Sequence, residues 1–121
     1  MCASRAPPVV LVVEDQGLIR LLIAEALQDA GWLVHEADTG ERATYLFQVN
    51  HVDVVFTDIE LGGTLSGWEI AERFRVTHPE LGVIYTSGKP PEEAKKVTKS
   101  TFFAKPYDTA KVVAECIRLT P

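Results

Sequence analysis

The stretch Val9-Val10-Leu11-Val12-Val13-Glu14-Asp15 decides the fold. A continuous apolar run rich in β-branched valine packs best as a strand covered on both faces, the position central strands hold in parallel sheets. It ends abruptly on two carboxylates, so acidic charge is delivered to the C-terminal edge of that strand. Its five apolar residues are far too few to span a bilayer.

Downstream the period changes. From residue 18 to 30, Ile19, Leu22, Ile23, Ala26 and Leu27 recur at helical spacing, and Gly31 stands where a left-handed helix stop is expected. Residues 33–37 suit a second strand, and Ala43, Leu46 and Phe47 mark a helix after Thr39-Gly40. Residues 52–57, closed by Asp58, read as a third strand. Ile70, Ala71 and Phe74 mark a helix over residues 67–75, before His78-Pro79 breaks the chain. Residues 81–86 suit a fourth strand, residues 91–98 a short polar helix opened by proline, and residues 101–104 a fifth strand. A last helix, capped by Asp108 or Thr109, is expected to bury Val112, Val113, Cys116 and Ile117.

Five strands alternating with five helices predict an α/β fold, a flavodoxin-like (βα)5 doubly wound parallel five-stranded sheet of order 2-1-3-4-5. That order sets the C-terminal ends of strands one and three side by side, at the switch point where open α/β sheets hold their ligands. Glu14, Asp15 and Asp58 share this rim. The 121 residues fit one domain, with residues 1–8 a flexible lead.

A net charge of −5, from 12 basic and 17 acidic residues with no basic run, argues against a nucleic-acid or anionic membrane surface and favours protein partners. The two cysteines, Cys2 and Cys116, offer neither a disulfide framework nor metal-ligand spacing, so a reducing cytoplasm is the expected compartment. Met1 to Pro8 lacks the apolar centre of a signal peptide. His35, His51 and His78 are dispersed without ligand spacing, and Trp32 and Trp68 flank helices, where packing is their expected role.

Three carboxylates converging on one sheet edge repel each other unless a cation or raised pKa values relieve them. A hard divalent ion is the economical solution. Mg²⁺ prefers oxygen ligands, retains waters and is commonly completed by phosphate oxygens. The later strand ends add a hydroxyl, Ser87 with Thr86 beside it, and the ammonium of Lys105 next to Pro106. Such donors match the equatorial oxygens of a transferring phosphoryl group. Taken singly, an acidic residue at a strand end is as readily a turn or cap group. Together, on four rim positions, these residues point to phosphoryl chemistry.

Glu14-Asp15, Asp58, Ser87-Gly88 and Lys105-Pro106, in this order on successive strand ends, resemble the response-regulator receiver domains of two-component signalling, over residues 9–119. The resemblance implies that Asp58 is the phosphoacceptor for a histidine kinase or phosphotransfer protein. It implies that Asp15 and Asp58 bind Mg²⁺ directly, that Glu14 acts through a water, and that the backbone carbonyl of Glu60 adds a further oxygen. Lys105 would pair with the phosphoryl group, and Ser87 would bond to it and move on its arrival. Phe102, three residues before Lys105, takes the place of the family's switch aromatic, although an aromatic in a strand is equally a core residue. The output would be a population shift read by a downstream protein, and a homodimer is compatible with this. The only chemistry expected is self-phosphorylation from phosphodonors and autodephosphorylation, not turnover of a substrate.

Two departures bear on the output surface. Gly62-Gly63-Thr64-Leu65-Ser66 stands where the family has proline four residues after the phosphoacceptor, which predicts a longer and softer loop. The stretch from Gly88 to Ala104 is about one helical turn short of the family's usual length. Glu60 and Lys89, two residues past Asp58 and Ser87, flank the site on neighbouring loops. They are expected to pair across its mouth and slow the access of water or donor.

Other readings compete. With no output domain after Pro121, and with Met1 and a proline-rich start, a stand-alone receiver is expected, the alternative being a receiver belonging to a larger hybrid kinase or regulator. A haloacid-dehalogenase-like phosphatase also uses an aspartate nucleophile and Mg²⁺, but carries it after the first strand with a second aspartate two residues on; here Asp58 is mid-chain and Glu60 follows. Flavin binding would need a Ser/Thr/Gly-rich phosphate loop after strand one, where Glu14-Asp15 would repel the phosphate instead.

Overall fold

The computed structural model describes residues 6–120. Cys2 and most of the expected flexible lead lie outside the described residues. Five strands, β1 (Val9–Val13), β2 (Leu33–Ala37), β3 (Val54–Asp58), β4 (Gly82–Ser87) and β5 (Ser100–Ala104), form one parallel sheet of order β2-β1-β3-β4-β5. The helices are α1 (Gly17–Asp29), α2 (Gly40–Val49), α3 (Gly67–Thr77) and α4 (Thr109–Leu119).

The uninterrupted apolar strands explain the two-sided cover. Alternate side chains of each central strand point to opposite faces. Leu11, Val13, Val55, Val83 and Tyr85 pack with Ala43, Phe47, Ile70, Ala71 and Phe74 of α2 and α3. Val10, Val12, Val54, Phe56 and Ile84 pack on the other face with Ile23 and Leu27 of α1 and with Val112 and Cys116 of α4. Gly31 follows α1 with φ +95°, the left-handed stop expected of it.

The helical stripes are narrower than their spacing suggests. Leu22 and Ile117, expected in the core, are 55% and 59% exposed. In α1 and α4 it is Ile23 and Leu27, and Val112 and Cys116, that meet the sheet, while Leu22 and Ile117 beside them face outward.

The helix expected over residues 91–98 is reduced to a single 3₁₀ turn, Glu93–Lys95, and only four α-helices are present among the described residues. Pro90 and Pro91 withhold two amide donors, and the segment finds partners outside itself. The hydroxyl of buried Tyr85 accepts the Val97 N–H at 3.2 Å. The guanidinium of Arg75 on α3 donates to the carbonyls of Leu81 (2.8 Å), Thr98 (2.6 Å) and Lys99 (3.1 Å).

The loop after β3 is likewise less free than its glycines imply. Gly62 bridges to Thr39, and the Glu41 carboxylate accepts from the Thr64 N–H (3.2 Å) and hydroxyl (2.6 Å). Ser66 and Glu69 close a reciprocal capping box on α3. The expected softness is corrected to a tethered loop, because polar side chains of α2 and α3 take up its backbone groups.

Candidate functional site

β1 and β3 are neighbours, so their C-terminal ends deliver Glu14, Asp15 and Asp58 to one edge of the sheet. Glu14 and Asp58 are 2% and 4% exposed, while Asp15 is open to solvent. Carboxylate oxygens of all three lie within 4.8 Å of one another. β5 adds Lys105, whose Nζ donates to Glu14 Oε1 at 2.8 Å and to Asp58 Oδ2 at 2.8 Å. The remaining oxygens accept from backbone two residues on: Gln16 N–H to Glu14 Oε2 (3.1 Å) and Glu60 N–H to Asp58 Oδ1 (3.2 Å). Each buried carboxylate is therefore held by one amide and by the shared ammonium, the condition under which buried charge is tolerated.

The electrostatics follow from this arrangement. Burial alone would lower the Lys105 pKa, but the hydrogen bonds it donates to Asp58 and Glu14 outweigh burial and hold the ammonium above its ordinary value. Partial desolvation, then the neighbouring Glu14 carboxylate, raise the Asp15 carboxyl. Tyr107, edge-on to Phe56 at 5.4 Å, is pushed up to about 12 by burial and then by Glu14. The donor set is all hard oxygen, two of its members buried and the third exposed, which fits an octahedral divalent cation with open positions.

Ser87 ends β4 on the same rim, 1% exposed. Its hydroxyl donates to Glu60 Oε1 at 2.7 Å and accepts the Lys89 N–H at 2.9 Å. Thr86, one residue earlier, points its hydroxyl into the interior without a partner, so Ser87 is the hydroxyl at the edge. Phe102 is half-buried and packs against the core shared by α2 and α3. The expected Glu60–Lys89 ion pair is absent among the described residues. The Ser87 hydroxyl takes the Glu60 carboxylate, and Lys89 contributes its backbone instead.

Two supports went unread in the sequence. Arg20 on α1 donates to the Glu14 carbonyl at 2.8 Å and pairs with Glu36 of β2 at 3.3 Å, pinning the peptide between Glu14 and Asp15. Gly67 opens α3 directly against β3: a Cβ there would lie 2.4 Å from the Asp58 carbonyl oxygen. The five-residue spacing from Asp15 to Arg20 and the glycine nine residues past Asp58 were the available signals.

The profile of the response regulator receiver domain family matches residues 10–116. This chain is a response regulator receiver domain. The receiver is 31% identical over 103 residues to the sporulation initiation phosphotransferase F of Bacillus subtilis, covering 82% of each chain. It is 35% identical over 81 residues to the sensor kinase CckA of Brucella abortus, spanning 65% of this chain and 8% of that one. It also spans only 10% of the sensor kinase/phosphatase LuxN of Vibrio harveyi. Among solved structures, a response regulator receiver protein from Sinorhizobium medicae superposes with a TM-score of 0.88 at 28% identity, covering 93% and 94% of the two chains. The chemotaxis response regulator CheY4 of Vibrio cholerae shares the fold with a TM-score of 0.82 at 23% identity, covering 94% and 99%. Receivers are the phosphoaccepting modules of two-component systems, served by histidine kinases and carrying Mg²⁺ in an acidic pocket, and this receiver has the acidic cluster for it. Among the described residues, no helix is long and apolar enough to cross a membrane.

Proposed function

We propose that Asp58 accepts the phosphoryl group of a phosphohistidine on a kinase or phosphotransfer protein, and that the receiver signals to a downstream protein by a shift of conformation. The observation that carries this reading is Lys105, bonded at 2.8 Å to both buried carboxylates at the rim. A carboxylate oxygen of Asp58 attacks phosphorus, its bond to phosphorus forms as the phosphorus–nitrogen bond breaks, and the imidazole leaves with that bonding pair. Lys105 exchanges a carboxylate contact for an oxygen of the incoming group, where a preorganised cation stabilises developing charge. Held by Asp15 and Asp58, with Glu14 through water and the Glu60 carbonyl, Mg²⁺ would supply the further positive charge that lets a phosphoryl anion approach three carboxylates.

The rim continues into an apolar groove of about 370 Å³ lined by Ile19, Leu22, Lys105, Pro106, Tyr107 and Thr109. Because it shares Lys105 with the site, this groove suits a protein donor whose phosphohistidine must reach Asp58. Ser87 then bonds a phosphoryl oxygen, and Phe102, packed on the α2–α3 side of the sheet, is the aromatic that follows it. Glu60 and Lys89 modulate access to the acyl phosphate. The compartment we assign is the cytoplasm, and the domain one unit over residues 1–121.

The test is uptake of phosphate from acetyl phosphate with Mg²⁺, read by intact mass. Wild type should gain one phosphoryl group and Asp58→Asn none. Absence of the gain in wild type, or its persistence in Asp58→Asn, would sink the proposal.

A further inference from the structure

Ser87 has one hydroxyl proton, and in this structure Glu60 holds it. A serine hydroxyl offers a single donor and two acceptor lone pairs. The proton is given to Glu60 Oε1 at 2.7 Å, and one lone pair takes the Lys89 N–H at 2.9 Å. Both contacts lie at the rim beside Asp58, and Glu60 is fastened there from its own backbone, since its N–H donates to Asp58 Oδ1 at 3.2 Å.

A phosphoryl oxygen on Asp58 needs the same proton. Resting on the phosphoacceptor reading above, we infer that the carboxylate of Glu60 is a built-in stand-in for the phosphoryl group. It occupies the donor of Ser87 until phosphorylation, and the arriving group must displace it. Glu60 is on this account a positioning residue that works through Ser87. Two features support exchange rather than a permanent bond. Ser87 is 1% exposed and fixed at the end of a central strand, whereas Glu60 is exposed and free to swing into solvent once released. The hydroxyl also has a single proton to give, so it cannot bond the Glu60 carboxylate and a phosphoryl oxygen at once. The expected Lys89 contact would instead have neutralised Glu60 and left Ser87 available.

The trifluoroberyllate anion, a phosphoryl mimic that binds carboxylates, separates this mechanism from plain charge repulsion. It is titrated with Mg²⁺ into the full chain, followed by tryptophan fluorescence, for wild type, Glu60→Ala, Ser87→Ala and the double variant, each checked for folding by circular dichroism. Freeing the hydroxyl should raise affinity roughly fivefold in Glu60→Ala, the scale of one net hydrogen bond. In the Ser87→Ala background, removal of Glu60 should change affinity by less than roughly twofold, because the contested donor is gone. Equal gains in both backgrounds would show simple repulsion by Glu60 and overturn the inference, as would no gain in either. Failure of all four proteins to bind would overturn the phosphoacceptor reading as well, a pattern that no effect of Glu60 can produce.

Discussion

Lys105 Nζ lies 2.8 Å from Asp58 Oδ2 while also holding Glu14, so a single ammonium balances two buried carboxylates. Lys105→Met leaves both anions facing each other without a counter-charge. Stability in a metal chelator should drop by about 3 kcal/mol, the cost of stranding buried charge, and added Mg²⁺ should restore part of it. Urea denaturation with and without Mg²⁺ measures this. Phosphoryl uptake from acetyl phosphate should fall by roughly 10²-fold.

Gly67→Ala places a methyl group 2.4 Å from the Asp58 carbonyl oxygen and 2.9 Å from Ile59 Cα, both backbone atoms that cannot step aside alone. The variant should lose about 2 kcal/mol, as overpacked positions do, and its Mg²⁺ affinity should weaken because the clash lies at the acidic site. Thermal melts and a Mg²⁺ titration by fluorescence report the two effects, and an unchanged affinity would uncouple α3 from the site.

Tyr85→Phe removes the acceptor of the Val97 N–H while keeping the ring against Trp68, whose centroid is 4.7 Å away. The loss should be about 1 kcal/mol. Amide exchange should accelerate at Val97 and its neighbours and leave the five strands as protected as before.

Glu115 on α4 accepts from Arg118 and from the Thr101 hydroxyl, and these contacts, Arg118 first, hold its carboxyl below the usual value of 4.5. A depressed folded pKa means that the contribution is complete above the unfolded pKa and is lost as pH falls through the folded one. The Glu115→Gln difference should therefore be present at pH 6 and shrink below about pH 4. Because Arg118 is largely exposed, its size should not exceed about 1 kcal/mol. Denaturant midpoints across that range provide the measurement.

The legible parts of this chain were those where one residue type has one physical use. Four valines around Leu11 admit little but a buried strand, and carboxylates at two adjacent strand ends were placed together by topology alone. What escaped was competition between partners. Glu60 and Lys89 are complementary in charge, but the sequence does not show that the Ser87 hydroxyl stands between them. The helix expected at residues 91–98 failed because Tyr85 and Arg75, distant in sequence, satisfy its backbone in an extended form. Leu22 and Ile117 obey helical spacing, yet spacing does not say how wide a stripe the sheet can cover.

The link between β4 and β5 has only one 3₁₀ turn and no α-helix to give it a shape of its own, and takes its course from Arg75 of α3 and from Tyr85 within the core. That makes α3 a common lever. Its first residue rests on the backbone of Asp58 and its last turn steers the crossover toward β5, so a displacement of this one helix would be felt at the acidic rim and at the crossover together.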